Sequence, residues 1–326
     1  MEDIMIKNGL IVDGTGNPWF RSDLLIESGR IAGIGSFDRA GSGLTIDATG
    51  LVVAPGFIDM HSHSDLFLLI NPFAESKIRQ GVTTEVIGNC GSTLAPILEE
   101  RLNLLKRNYM PLSEEVDWSW RSFGDYLRVL EERKTSVNTA PLVGHGTIRI
   151  AVLGYENRAP VENELEEMKS LVEEAMKSGA RGLSSGLIYT PASFSKTEEL
   201  IELCKVVSRY GGFYSSHIRN ESSRLLEAVA EAIEIGEKAG VPVEISHHKA
   251  AGGENWGKVN DSLQMIEDAR KRGVDVTCDV YPYTAGSTDL SACVPTWAHE
   301  NGLASLLNRL RDTKIRSRLK LEISEG

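Results

Sequence analysis

The chain has 326 residues, of which 41% are hydrophobic, 25% charged and 6% aromatic; that is enough apolar material for a large core, and it excludes a disordered or fibrous protein. With 35 Lys and Arg against 46 Asp and Glu the formal charge is −11, a sign that repels phosphate backbones and argues against nucleic acid as a partner. Cys90, Cys204, Cys278 and Cys293 are too few and too scattered for a disulfide framework, and no signal-like or membrane-spanning apolar run develops, so the expectation is a cytoplasmic protein with no membrane partner.

From Met1 to about Ala54, short apolar runs (IMIKNGLIVD, DLLIESGRIAGIG, LTIDATGLVVAP) separated by Gly, Asn, Asp and Pro predict strands and hairpins of a small β domain, residues 1–54. From residue 55 to 326 apolar segments alternate with amphipathic charged ones, which predicts βα units around a parallel sheet. Strands are expected to begin near Phe57, Thr83, Thr139, Ala180, Gly212, Val241 and Val274. NELEEMKSLVEEAMKSGA and ESSRLLEAVAEAIEIGEKAG read as crossover helices stopped by glycine, their Glu and Lys runs as solvated faces. Residues 300–326 read as helix. Seven strands are one short of a closed (β/α)8 barrel, so the expected fold class is α/β with an incomplete barrel, the chain stopping before closure.

The chemistry-bearing residues collect at the predicted strand ends. His61-Ser62-His63 follows the first strand, and alternation places both imidazoles on one face, a spacing that suits a divalent metal. Gly88-Asn89-Cys90-Gly91 follows the second; Cys90 fits either a small buried hydrophobe or a thiolate ligand. His217 ends the fifth strand and His247-His248 the sixth, His247 being expected as a ligand and His248, on the opposite face, as structural. Barrel enzymes build their sites at these strand ends, so a metal site is expected there. His145, after the third strand, fits a residue behind the metal, a substrate contact or a hydrogen-bonded structural histidine; His299 lies beyond the strands and carries no assignment. Arg219 and Lys249, two residues after His217 and His247, are placed to reach the same cavity and bind a carboxylate, with solvent-facing charge as the alternative. Tyr281 and Ser287, in YPYTAGS, offer hydroxyls to a carbonyl or carboxylate.

PGFIDMHSH, GVTTEVIGNCG, VGHGTIR, GLSSGLIY, SSHIRNE, ISHHKAAG and DVYPYTAGST together resemble the N-acyl-D-amino-acid deacylases (D-aminoacylases) of the metal-dependent amidohydrolase superfamily. The resemblance implies a tightly bound zinc on Cys90, His217 and His247, with His61 and His63 defining a second, weaker position. It implies an N-acyl amino acid as the small-molecule substrate, and it matches Lys249, Tyr281 and Ser287 to positions around that substrate. Related cyclic amidases bridge two metals with a lysine on strand four; ARGLSSGL has none, and the resemblance to the deacylases implies that Cys90 takes the bridging place.

Zinc hydrolysis of a linear amide needs a base for the water proton, and the resemblance puts it on an aspartate expected beyond residue 326. Asp65 and Asp279 are candidate substitute acids, though neither matches its position. Two alternatives stay open: a dihydroorotase-like or hydantoinase-like cyclic amidase, and a non-catalytic metal-binding fragment that needs a partner chain.

Overall fold

The alternating pattern at the N-terminus folds as five strands: β1 (Ile4–Ile11), β2 (Phe20–Glu27), β3 (Arg30–Gly35), β4 (Leu44–Asp47) and β5 (Val52–Val53). Ser28 and Gly29 join β2 to β3 with φ of 52° and 75°, the paired positive values that a two-residue hairpin turn requires. The sheet runs β3-β2-β1-β4, with β5 also parallel to β1. The computed structural model describes residues 3–37 and 43–325. The chain divides into two units, Met1–Phe57 and Ile58–Gly326.

In the larger unit the order is β6 (Phe57–Asp59), α1 (Phe67–Ile70), α2 (Glu75–Ile78), β7 (Val82–Ile87), α3 (Leu102–Arg107), α4 (Phe123–Glu132), β8 (Asn138–Pro141), β9 (Val143–Gly144) and α5 (His145–Val152). There follow α6 (Glu162–Ser178), β10 (Gly182–Gly186), α7 (Thr197–Arg209), β11 (Phe213–His217), α8 (Leu225–Ala239), β12 (Val243–Ile245), α9 (Lys258–Lys271) and β13 (Val276–Cys278). The C-terminal residues are helical, as expected, in α10 (Gly302–Arg311) and α11 (Thr313–Glu325).

The strands form two ladders, β6-β7-β8 and β9-β10-β11-β12-β13. β8 and β9 are one predicted strand interrupted at Leu142, whose N–H still donates to Ile87 O at 2.9 Å, so the staves number seven. Among the described residues β13 and β6 do not pair, and the barrel stays open. The glycine stops hold: Gly179 and Gly240 end α6 and α8 with φ of 119° and 65°, where a side chain would be strained. The helices bury one stripe each against the sheet, with Met168, Val172 and Ala175 from α6, Leu200 and Leu203 from α7, and Val229 and Ile235 from α8 in one core. Among the described residues no helix is long and apolar enough to cross a membrane.

Candidate metal centre

The site is built where β7 leaves the sheet. Gly88, Cys90 and Gly91 take φ of 78°, 54° and 73°, so the backbone turns sharply around the cysteine. Cys90 is the one non-glycine residue of the three in the left-handed region, a conformation that costs about 1–3 kcal/mol and persists only where its surroundings hold it. Serines of the neighbouring strands do so. Ser184 on β10 accepts from Gly91 N–H at 3.0 Å and donates to Gly88 O, while Ser215 on β11 donates to Asn89 Oδ1 at 3.1 Å. The serines of GLSSGL and SSH thus anchor the cysteine loop.

Close packing completes the hold. A Cβ on Gly186 would fall 2.3 Å from Cys90 O and 2.7 Å from Tyr189 Cδ2. Gly186→Ala is therefore expected to cost about 1–3 kcal/mol, the usual penalty of overpacking, and to displace Cys90. Denaturant titration together with zinc counting checks this; an unchanged midpoint with full zinc content contradicts it.

Cys90 Sγ lies 3.4 Å from His61 Nε2, 3.5 Å from His217 Nδ1 and 3.6 Å from His247 Nε2. Zinc bonded tetrahedrally at about 2.3 Å to sulfur and about 2.0–2.1 Å to nitrogen separates such donors by about 3.5 Å, and two sets have donor atoms within 4.8 Å of one another and could hold an ion: His61, Cys90 and His247, and His217, Glu221 and His247. The ring nitrogens turned away from the sulfur, His61 Nδ1 and His217 Nε2, are buried without hydrogen-bond partners. Burial pushes His217 down to about 3, which keeps its ring neutral, the form that ligates. Burial first, then the carboxylates of Glu221 and Asp279, pushes the Cys90 thiol up.

The structure brings His61 to the sulfur as closely as His217 and His247. His63 stands behind, its ring centre 5.2 Å from that of His61, and lines the adjoining cavity. His247 turns toward the cluster with φ of 38°, past the end of β12, so a left-handed residue and not strand alternation sets its direction. His248 points away and pairs with Ser262 Oγ at 2.9 Å.

Glu221 and Asp279 stand around the imidazoles. Glu221 Oε1 is 2.9 Å from His247 Nδ1 and 3.9 Å from His217 Nε2; Asp279 Oδ2 is 3.4 Å from His61 Nδ1, and Asp279 Oδ1 accepts from His247 N–H at 2.6 Å. Burial alone would raise the Glu221 carboxyl, but the His247 bond and the charges around it hold it at about 2. The sequence reading put Glu221 on a helix face; α8 begins only at Leu225. Asn220 Oδ1 accepts from Ser222 and Arg224 N–H groups, at 2.9 Å each, and this side-chain turn leaves Glu221 outside the helix. An Asn two residues before a Ser and ahead of a helical run is the signal that marks it. Asp65 lies in the core instead, accepting from Gly88 N–H at 3.1 Å.

A cavity of about 670 Å³ opens beside the cluster, lined among others by His63, Cys90, Tyr189, Ser287, Thr288 and Ile150. Tyr189 packs edge-on against His217 and pairs with Thr288 Oγ1 at 2.8 Å. Lys249 Nζ donates to Glu221 Oε1 at 2.6 Å and sits 5.5 Å from the Tyr281 ring centre. The structure does not bring Arg219 or His145 into the cluster. Arg219 pairs with Glu231 at 2.8 Å and donates to the carbonyls of Ser193 and Ser195. His145 is fully buried against Glu199 at 2.8 Å, beside Arg149.

The family described as "Amidohydrolase family" matches residues 44–321. A D-aminoacylase of Alcaligenes xylosoxydans xylosoxydans is 43% identical over 292 residues, covering 88% of this chain and 59% of the relative. A crystal structure of D-aminoacylase, described as defining a novel subset of amidohydrolases, aligns with a TM-score of 0.79 at 39% identity, over 88% of this chain and 60% of that one. The N-acyl-D-glutamate deacylase of Bordetella bronchiseptica, solved with zinc and a phosphonate that mimics the tetrahedral intermediate of its reaction, aligns with a TM-score of 0.77 at 37% identity, over 86% and 59%. The chain spans between half and two thirds of the length of these relatives.

Proposed function

The chain belongs to the amidohydrolase family, and from that premise we propose that it serves zinc-dependent hydrolysis of N-acyl-D-amino acids to a carboxylate and a free D-amino acid, in the cytoplasm. The observation that carries this reading is the Cys90 sulfur facing three imidazole nitrogens at 3.4–3.6 Å. Cys90, His217 and His247 would hold the tightly bound ion, with His61 and His63 beside it. When bound, zinc supplies Lewis acidity, lowering the pKa of water and polarising an acyl carbonyl.

The chain's own residues do the rest by binding and orientation. Lys249 offers an ammonium to the substrate carboxylate, and Tyr281 beneath it confines that group. Ser287 lines the cavity wall and offers a hydroxyl, while Ile150 and Ile188 give the side chain or acyl chain an apolar surface. β10 carries Ser184 and Ser185, both spent on internal hydrogen bonds, at the strand where a cyclic amidase would place its bridging lysine; this supports the linear amide.

The test is amino-acid release from paired N-acetyl-D- and N-acetyl-L-amino acids, alongside a hydantoin and dihydroorotate. It should be run on this chain and on the longest reading frame that contains it. Release from the D series alone is expected of the longer reading frame, and little or none of this chain, whose expected base lies outside it. Ring opening without D-series turnover would sink the proposal in favour of a cyclic amidase.

A further inference from the structure

We propose that Glu221 is a positioning residue: one carboxylate that fixes the orientation and tautomer of His247 and at the same time seats Lys249. The inference rests on the metal reading above and concerns a residue which that reading does not use.

Three observations converge. Glu221 Oε1 lies 2.9 Å from His247 Nδ1 and 2.6 Å from Lys249 Nζ, so a single oxygen serves both groups. The backbone is clamped as well, since Ala251 N–H donates to Glu221 O at 2.7 Å and ties the loop after β11 to the loop after β12. On the other side, Asn220 Oδ1 holds the turn into α8. Glu221 is therefore placed from both flanks.

The proton count then follows from donor and acceptor chemistry. A carboxylate beside an ammonium only accepts, so His247 Nδ1 must donate to it. A neutral imidazole with its proton on Nδ1 has its lone pair on Nε2, and Nε2 is the atom that faces Cys90 Sγ at 3.6 Å. The 3.1 Å approach of Lys249 Nζ to His247 Nδ1 is then two donors gathered by one acceptor, with Lys249 also donating to His247 O at 3.0 Å. Without the carboxylate, His247 Nδ1 keeps only the Lys249 ammonium beside it, a donor that favours the opposite tautomer, with the proton on Nε2. Hydrogen-bonded carboxylates behind ligating histidines are worth about 10- to 100-fold in metal affinity.

The experiment measures zinc affinity by chelator competition for wild type, Glu221→Gln and Glu221→Met, with Cys90→Ala as the control for the site. Glutamine keeps an oxygen that accepts from Nδ1–H; methionine keeps the length and loses the acceptor, so neither variant opens a large hole. The expected result is a 10- to 100-fold weaker Kd for Glu221→Met. Glu221→Gln should stay within about fivefold of wild type, and the thiolate band of its cobalt form should be unchanged. Equal weakening in both variants would overturn the inference, because Glu221 would then act as a ligand or a bare charge. Wild-type affinity in Glu221→Met would overturn it too. A wild type that binds no zinc defeats the metal reading itself; zinc bound by wild type and lost in Cys90→Ala, with Glu221→Met unaffected, defeats the positioning role alone.

Discussion

Cys90→Ala is expected to remove stoichiometric zinc from the protein, with a loss of affinity exceeding the roughly 10- to 100-fold that removal of a partner behind a ligand costs. The sulfur lies within 3.6 Å of a ring nitrogen of each of His61, His217 and His247, so its loss removes the donor that faces all three. Cys90→Ser should rescue little, since a hydroxyl stays protonated and is a harder ligand than thiolate. Burial and the two carboxylates keep the metal-free thiol protonated at neutral pH, and the ion binds the thiolate. Zinc uptake should therefore release about one proton in wild type, and that proton should be missing in Cys90→Ala. Elemental analysis gives the stoichiometry, and calorimetry in buffers of different ionisation enthalpy gives the proton. An alanine variant that holds as much zinc as tightly as wild type refutes the ligand assignment.

Glu199→Ala is expected to destabilise the fold by about 3–5 kcal/mol, the cost of leaving a buried charge without its partner. Arg149 has 0% relative exposure, and its Nη1 reaches both Glu199 oxygens at 2.8 and 2.6 Å. His145, one helical turn earlier on α5, loses its Nε2 partner at the same time. The double variant Arg149→Met/Glu199→Leu should recover most of the loss, because removing both charges also removes their desolvation penalty. Urea unfolding of the single and double variants, read as a cycle, measures it. Wild-type stability in Glu199→Ala would mean that the arginine finds water or another acceptor. Zinc content should hardly change in the double variant, since this network is not part of the cluster.

Much of the site could be read from spacing. His61, Cys90, His217 and His247 were all expected at strand ends, and the structure gathers them around one sulfur, because a parallel α/β sheet carries the ends of its strands to one side. The charged residues were harder. Arg219 and Lys249 occupy equivalent positions two residues past a histidine, yet Lys249 lies at the cluster and Arg219 does not. What separates them is their partners: Glu231, on α8, takes Arg219, while Glu221, outside any helix, draws Lys249 to His247. His145 was open between three roles, and its carboxylate, Glu199, comes from 54 residues away on α7. Tyr189, which packs on His217 and lines the cavity, gave no periodic signal at all.

By itself the sequence determined the α/β class, the seven-strand order, the glycine-stopped helices and the set of imidazole and thiol groups, because each rests on a short-range regularity: a period of two or 3.6, a cap, or a strand terminus. Only the tertiary structure decided which carboxylates face those groups. Asp279 comes to His61 from β13's far end, and Glu221 to His247 across two loops. A side chain's ion-pair partner is set by packing between elements distant in the chain, and no local pattern encodes that choice.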